Sequence, residues 1–453
     1  MNRSTWRLRA AAIVAVAGLS AYADTSELEQ QVQELKGQVA TLQARQAAGS
    51  KEMAATIESV LRDAEQRSQM LAAGDSGAGY DNGFFIKSGA FELRPGILFQ
   101  FWNVTDYRTN IGDPKNDQVE NGFEIHRLEL SFDGTAFTKG LLYRFEWNTG
   151  TEGGGLTLED AYAIYFFADQ WALLAGQFKY PVNHEAVVGD GNQLAAERSL
   201  LDAYLGGGAF NRVQGVGIVY GGGQENNPIN AVVALDDGPN SANTNYIGHY
   251  PNDPSPASFG PHSYDFGFGG RLNYKVTGKW ADYNDFTARN VKETLFVVGA
   301  DGNWSQGGDG NLLAANVDAQ AKFTNGLSFY GGVTVAHFDK EATGGDALTH
   351  WGFILQGAYA INPAWEVFAR YSYVDIDGGV TKGTDTEDQF HEITVGVNYY
   401  LGENGSAGHR AKVTLDLNYL INGTPTPLTR YGYLGDSNFD TEISLRAQFQ
   451  LAL

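Results

Sequence analysis

The feature that most constrains this chain is an alternation of apolar and polar residues, with period two, that sets in at Phe84 and recurs to Leu453. Period two is the side-chain repeat of a β-strand. The last stretch is the clearest: Ile443, Leu445, Ala447, Phe449, Leu451 and Leu453 alternate with Glu442, Ser444, Arg446, Gln448 and Gln450. The same pattern sets Val413, Leu415, Leu417, Tyr419 and Ile421 against Lys412, Thr414, Asp416 and Asn418. It recurs around Trp365–Tyr373, Phe266–Val276 and Val317–Phe323. Ionisable residues fall on one face of each strand, and aromatics often end the other. A soluble sandwich would enclose its apolar faces and stay dry. Here the enclosed face is the polar one, as in a water-filled barrel whose apolar face meets lipid.

Alternation gives sixteen strands, at about 84–107, 122–136, 141–149, 157–168, 171–182, 212–220, 230–237, 263–277, 294–305, 313–324, 327–338, 351–361, 365–376, 391–401, 410–421 and 441–453. Connections after even strands are mostly short, as at Asn325-Gly326 and Asn362-Pro363-Ala364. Those after odd strands are mostly long, notably 183–211, 238–262 and 422–440. Short turns at one end, long loops at the other and an even strand count form the plan of an outer-membrane barrel. Segment 278–293 departs from it: a short turn is due there, so either a strand is miscounted or the turn is decorated.

The first 23 residues read as a secretory signal peptide, with Arg3, Arg7 and Arg9, an apolar run Ala10–Leu19 and the small-x-small site Ala21-Tyr22-Ala23. Residues 24–79 read as a periplasmic stalk and linker. Leu28, Val32, Leu35, Val39 and Leu42 are spaced 4, 3, 4, 3, a heptad seam that calls for a coiled coil with copies of itself. A charged, unstructured linker is the other reading of that stretch. Ala72–Gly79 is expected to be a flexible joint. No later stretch is continuously apolar for 18 residues, so the barrel, 80–453, is the only expected means of crossing a membrane. The fold class is therefore all-β: a sixteen-stranded antiparallel transmembrane β-barrel preceded by a short N-terminal α-helical coiled coil.

Composition excludes several functions. The chain carries 31 Lys+Arg against 53 Asp+Glu, a formal charge of −22, which argues against nucleic acid as a partner. It has no Cys, which rules out disulfides and Cys-based metal sites. Its eight His show no HExxH or paired metal spacing. Asp375-Ile376-Asp377-Gly378-Gly379 and Asp301-Gly302-Asn303 are only fragments of a calcium loop. No G-x-S-x-G elbow occurs, and the glycine clusters lack the Lys-Ser/Thr of a phosphate-binding loop. No cofactor, metal or catalytic set is expected, and the chain reads as a channel rather than an enzyme.

Several segments resemble the phosphate-selective porin O/P family. They are Asn121-Gly122-Phe123-Glu124-Ile125-His126-Arg127-Leu128-Glu129-Leu130-Ser131-Phe132-Asp133-Gly134, Asp160-Ala161-Tyr162, and Gly176-Gln177-Phe178-Lys179-Tyr180-Pro181 with Glu185 and Glu197-Arg198 beyond. Arg370-Tyr371-Ser372 and Gly396-Val397-Asn398-Tyr399-Tyr400-Leu401 extend the resemblance toward the C-terminus, while 238–345 matches poorly. The resemblance implies a homotrimer of sixteen-stranded barrels in the outer membrane, a periplasmic N-terminal coiled coil, and a long loop after the fifth strand that folds inward to narrow the pore. Segment 183–211 sits at that place. Two departures are visible. The family's Arg-rich second strand is thin here, with Arg127 beside Glu129, and the chain ends in Leu453 rather than Phe.

Parity puts nine basic side chains on the polar face: Arg127, Arg144, Lys179, Arg271, Lys275, Lys322, Arg370, Lys412 and Arg446. It puts seven acidic ones there too: Glu129, Glu146, Asp265, Asp318, Glu366, Asp416 and Glu442. The wall is mixed, whereas rings of one sign set channel selectivity. The loop adds Glu185, Asp190, Glu197, Arg198 and Asp202 near Lys179 and Arg212. These either line a constriction or form ion pairs that hold the loop to the wall. Acidic residues in the loops, such as Asp385, Glu387 and Asp388, are solvated or bridge through divalent ions to lipopolysaccharide. The expected function is passive diffusion of small hydrophilic solutes, with anions such as phosphate at most weakly preferred. The alternative is a structural protein that ties the outer membrane to peptidoglycan through its coiled coil.

Overall fold

The computed structural model describes Lys36 and residues 76–81, 83–110, 118–149, 154–222, 224–243, 264–307, 310–339, 346–382, 385–426, 428–435 and 439–453. The signal peptide and the heptad seam lie outside the described residues, apart from Lys36. At the end of the expected joint, Ser76–Tyr80 is a short strand, followed by a second, Phe84–Ser88.

Sixteen longer strands follow. They are β1 (Phe91–Asn110), β2 (Gln118–Ala136), β3 (Thr138–Thr149), β4 (Leu156–Ala168), β5 (Trp171–Lys179) and β6 (Arg212–Tyr220). Next come β7 (Ile229–Asp236), β8 (Phe266–Thr277), β9 (Leu295–Gly307), β10 (Gly310–Lys322) and β11 (Leu327–Phe338). The last are β12 (Leu348–Asn362), β13 (Trp365–Lys382), β14 (Asp385–Tyr400), β15 (Ala411–Ile421) and β16 (Phe439–Ala452). Each pairs antiparallel with its successor, and β16 pairs with β1, for example Phe449 with Phe101. The ring is closed, so the barrel has no open edge for lipid to meet.

β15 shows why the chain folds this way. Val413, Leu415, Leu417 and Tyr419 are 39–43% exposed on the outside, while Lys412, Thr414, Asp416 and Asn418 are at most 1% exposed on the inside. That is the reverse of a soluble sheet. The outward apolar residues of all sixteen strands join into a band far larger than the few hundred Å² that soluble surfaces tolerate. Among the described residues no helix is long and apolar enough to cross a membrane.

Of the register shifts along the barrel, two alter the parity beside the inward loop. Gln100 pairs with Arg127 but Phe101 pairs with Ile125, so His126 is the extra residue of β2 and turns inward beside Arg127. Phe145 pairs with Ala161 but Trp147 pairs with Leu158, so Glu146 opposes both Glu159 and Asp160. A bulge re-aims side chains in this way.

Segment 278–293 is a decorated turn, not a miscounted strand. It contains a 3-10 turn at Trp280–Tyr283 and folds back along the inner wall. Lys322 binds Asp285 at 2.5 Å, the Thr287 hydroxyl donates to Glu366 at 2.5 Å, and the Arg289 guanidinium lies 3.7 Å from the Tyr400 ring.

Candidate functional site

The connection after β5 enters the barrel. It carries three short helices: α1 (His184–Val187), α2 (Leu200–Leu205) and α3 (Gly207–Phe210). The Asn183 side chain caps α1 by accepting from the Ala186 N–H at 2.8 Å, and the Ser199 hydroxyl caps α2 through the Asp202 N–H at 3.2 Å. Asn211 leaves α3 with φ of 53°, in the left-handed region that Asn tolerates.

Short helices leave backbone groups unpaired, and buried ones need partners. The inner wall supplies them. The N–H groups of His184, Ala196 and Leu200 donate to Asp318, Asp416 and Glu392 at 3.0, 2.8 and 2.6 Å. The carbonyls of Gln193, Leu194 and Glu197 accept from Lys412, Asn398 and Arg370 at 2.6, 3.0 and 2.9 Å. The loop is thus laid against β10 and β13–β15. The decorated turn meets it there: the Asn192 amide donates to the Asn284 carbonyl at 3.2 Å, and the His184 ring stacks on Tyr283 at 3.7 Å.

This placement sorts the wall residues named from parity. Arg271, Lys275, Lys322, Arg370, Lys412 and Arg446 are buried. Arg271 pairs with Asp301 and Asp318, Arg370 with Glu392, Arg446 with Asp416, and Lys275 with Glu225. Lys412 and Lys322 serve the loop and the turn. None of these six faces either of the two internal cavities described next.

Asp318, Glu366 and Asp416 stay on that side with them, while most of the other candidates converge on the opposite side. Arg127, Lys179, Asp190, Glu197, Arg198, Asp202 and Arg212 line a cavity of about 370 Å³. Glu129, Arg144, Glu146, Lys179 and Asp190 line a second of about 420 Å³. The two share Lys179 and Asp190. Glu185 lines neither: it is fully buried and accepts from the Ser199 N–H and hydroxyl at 2.9 and 2.6 Å.

The cluster is a network of ion pairs. Glu197 holds Arg127 and accepts from His126 Nε2 at 2.9 Å. Asp190 holds Arg198 and lies 3.5 Å from Lys179. Arg144 binds Glu146, Asp133 at 2.7 Å and Asp160 at 3.2 Å, while Arg212 binds Glu159 and Asp160. Burial works to raise the Asp190 carboxyl, but Arg198, Lys179 and Arg127 outweigh it and hold it well below the usual range. Burial likewise opposes the charge on Glu197, and Arg127 with His126 keeps it low. Glu185 goes the other way: burial and the Asp202 charge push it up to about 7 against Arg370.

The wall residues named from parity omit three members of this cluster. His126, stacked on Trp102 at 3.5 Å, and Glu159 reach the interior because of the two bulges, while Asp160 shares the inward parity of Tyr162 and Ile164. The adjacency of unlike parities, His126-Arg127 and Glu159-Asp160, was the available signal. Parity also makes the inner face polar throughout, whereas on β4–β7 part of it is apolar, with Ile164, Leu174, Val219 and Val232 facing the second cavity. Among the described residues no group of His, Asp and Glu is arranged to hold a metal ion.

Comparison with known proteins follows the same lines. The family model described as "Phosphate-selective porin O and P" matches residues 101–265, the stretch that carries β2–β7 and the inward loop. The resemblance read from the sequence holds over that stretch. No curated protein matches the chain. Among solved structures, the anion-selective porin from Comamonas acidovorans is 13% identical, with 80% of this chain and 99% of that chain covered and a TM-score of 0.50. The outer membrane channel DcaP of Acinetobacter baumannii is 15% identical, covering 82% and 99%, with a TM-score of 0.50. OmpF of Salmonella typhi, in complex with daunomycin, is 14% identical, covering 81% and 100%, with a TM-score of 0.50. At these identities the likeness shows the fold.

Proposed function

We infer that this chain is an outer-membrane porin, a channel for passive diffusion of small hydrophilic solutes. The observation that carries the reading is the inside-out barrel with an inward loop that fills one side and leaves charged cavities along the other. Assembly as a homotrimer, contacts with lipopolysaccharide and a periplasmic stalk belong to the same reading and draw on the family resemblance.

Selectivity follows from which charges meet solvent. The Arg144, Lys179 and Asp133 side chains stay 30%, 24% and 39% exposed, whereas those of Arg127, Arg198 and Arg212, like those of Glu129, Glu146, Glu159, Asp160, Asp190, Glu197 and Asp202, are 12% exposed or less. Two cations, Arg144 and Lys179, reach solvent with one carboxylate, Asp133, and the remaining charges are buried in pairs that largely neutralise one another. The channel therefore passes both signs with a weak preference for anions. The test is a reversal potential across a planar bilayer under a salt gradient. A permeability ratio within a few-fold of unity, on the anion side, is expected. Strong selection of phosphate over chloride overturns the weak preference, and absence of current overturns the channel.

A further inference from the structure

The apolar stretch of the inner wall beside Arg144 and Lys179 has no part in passing inorganic ions. Ile164 pairs across strands with Leu174, and Val219 with Val232, so four aliphatic side chains form one patch on β4–β7. Phe178 extends it, and Val187 of α1 faces the same cavity from the loop, 36% exposed. Their strand neighbours Leu173, Ile218 and Val233 are exposed on the outer surface, so the patch is a second apolar surface, on the inside. Ile164, Val219 and Val232 are only partly buried: they pack against the buried apolar cluster that includes the inward loop, and their remaining surface lines the cavity. Leaving such side chains against water is costly unless something apolar passes over them.

The cations stand at the edge of this patch. Arg144 pairs with Tyr162, and Ile164 is two residues further along the same face of β4, about 7 Å away. Lys179 lines the same cavity, and its ammonium group, with three donors, approaches one carboxylate, Asp190, at 3.5 Å. The cavity volume of about 420 Å³ lies in the range of small-molecule sites, roughly 300–1,000 Å³.

We propose that this cavity is a subsite for amphipathic organic anions, a carboxylate held by Lys179 and Arg144 with its hydrocarbon body lying on Ile164, Leu174, Val219 and Val232. The inference rests on the porin reading and names the solute class of that passage: small aromatic or aliphatic carboxylates, in preference to inorganic anions.

The test uses the full chain in planar bilayers carrying a chloride current, with acetate, butyrate, hexanoate, benzoate, benzylamine and inorganic phosphate added in turn. Block should strengthen along the carboxylate series, by roughly two-fold per added methylene for half-covered groups. Benzoate should act at a concentration about ten-fold lower than acetate or phosphate, by the apolar area it adds. In Val219→Thr/Val232→Thr the gap between benzoate and acetate should shrink to about two-fold, since the hydroxyls replace apolar surface at nearly constant volume. A chloride current on which benzoate, acetate and phosphate act alike overturns this inference alone. Equal action of benzylamine overturns the carboxylate assignment, and an unchanged gap in the double variant overturns the placement. A chain that carries no chloride current at all overturns the porin reading first.

Discussion

Glu185 is a carboxyl held where its charge is least welcome. It lies fully buried in the inward loop between Asp202 and Arg370, and its titration is pushed up to about 7 from an ordinary 4.5. With a folded-state value above the unfolded one, the stability that the neutral form contributes is complete below about 4.5 and is lost as pH rises through about 7. Asp190 and Glu197 run opposite, because their folded values are depressed. Their contribution is present above the ordinary carboxylate range, about 4, and is lost as pH falls below it. The loop is therefore held most firmly near pH 4.5, and its hold weakens as pH rises toward about 7. Single-channel current noise should rise several-fold from pH 5 to pH 7 and level off above it, and Glu185→Gln should flatten that rise; a pH-independent trace in the unmodified channel counts against the assignment. From sequence Glu185 is one of five charged residues in an unassigned loop. Its burial away from both cavities is visible only when Ser199, Asp202 and Arg370 are seen to enclose it.

Strands and loop obey different rules at the scale of the element. A strand is readable because its two faces alternate, so the outward position of Leu415, midway along β15, follows from parity alone. Leu415→Arg should cost about 2–4 kcal/mol, the penalty of a cation on the lipid face of a barrel, measured as the urea unfolding midpoint of the protein refolded into vesicles. The inward loop has no such period. Its course is set by the distances from its backbone groups to Asp318, Arg370, Glu392, Asn398, Lys412 and Asp416, which lie on four different strands. Those six side chains act as hydrogen-bond partners for the loop, which is why a sequence count of wall charges overstates the charge a solute meets. Replacing 184–210 with a short Gly-Ser linker should raise single-channel conductance several-fold and, by removing Glu185, Asp190, Glu197 and Asp202 against Arg198 alone, make the current more anion-selective. A conductance unchanged by that deletion would mean the loop does not limit flow.

Seen as a whole, the barrel is lopsided. The inward loop and the turn at 278–293 together fill the side lined by β8–β16, and both cavities lie beside β2–β7. The cylinder itself was legible in the chain. Sixteen alternating stretches, short and long connections in turn, and a polar face in each strand are local properties, and the hydrogen-bonding needs of a backbone in lipid leave a closed ring as their one solution. The strand positions 84–107 and 441–453 read from alternation correspond to Phe84–Ser88 with Phe91–Asn110, and to Phe439–Ala452, because a two-residue repeat is written in each strand without help from its neighbours. What only the tertiary structure decided is where the interior is open. That depends on two bulges that turn His126 and Glu159 inward, on a loop whose partners are more than a hundred residues away in sequence, and on a turn that meets it from the other end of the barrel. Register and long-range contact are properties of pairs of segments, so no single stretch of the chain encodes them by itself.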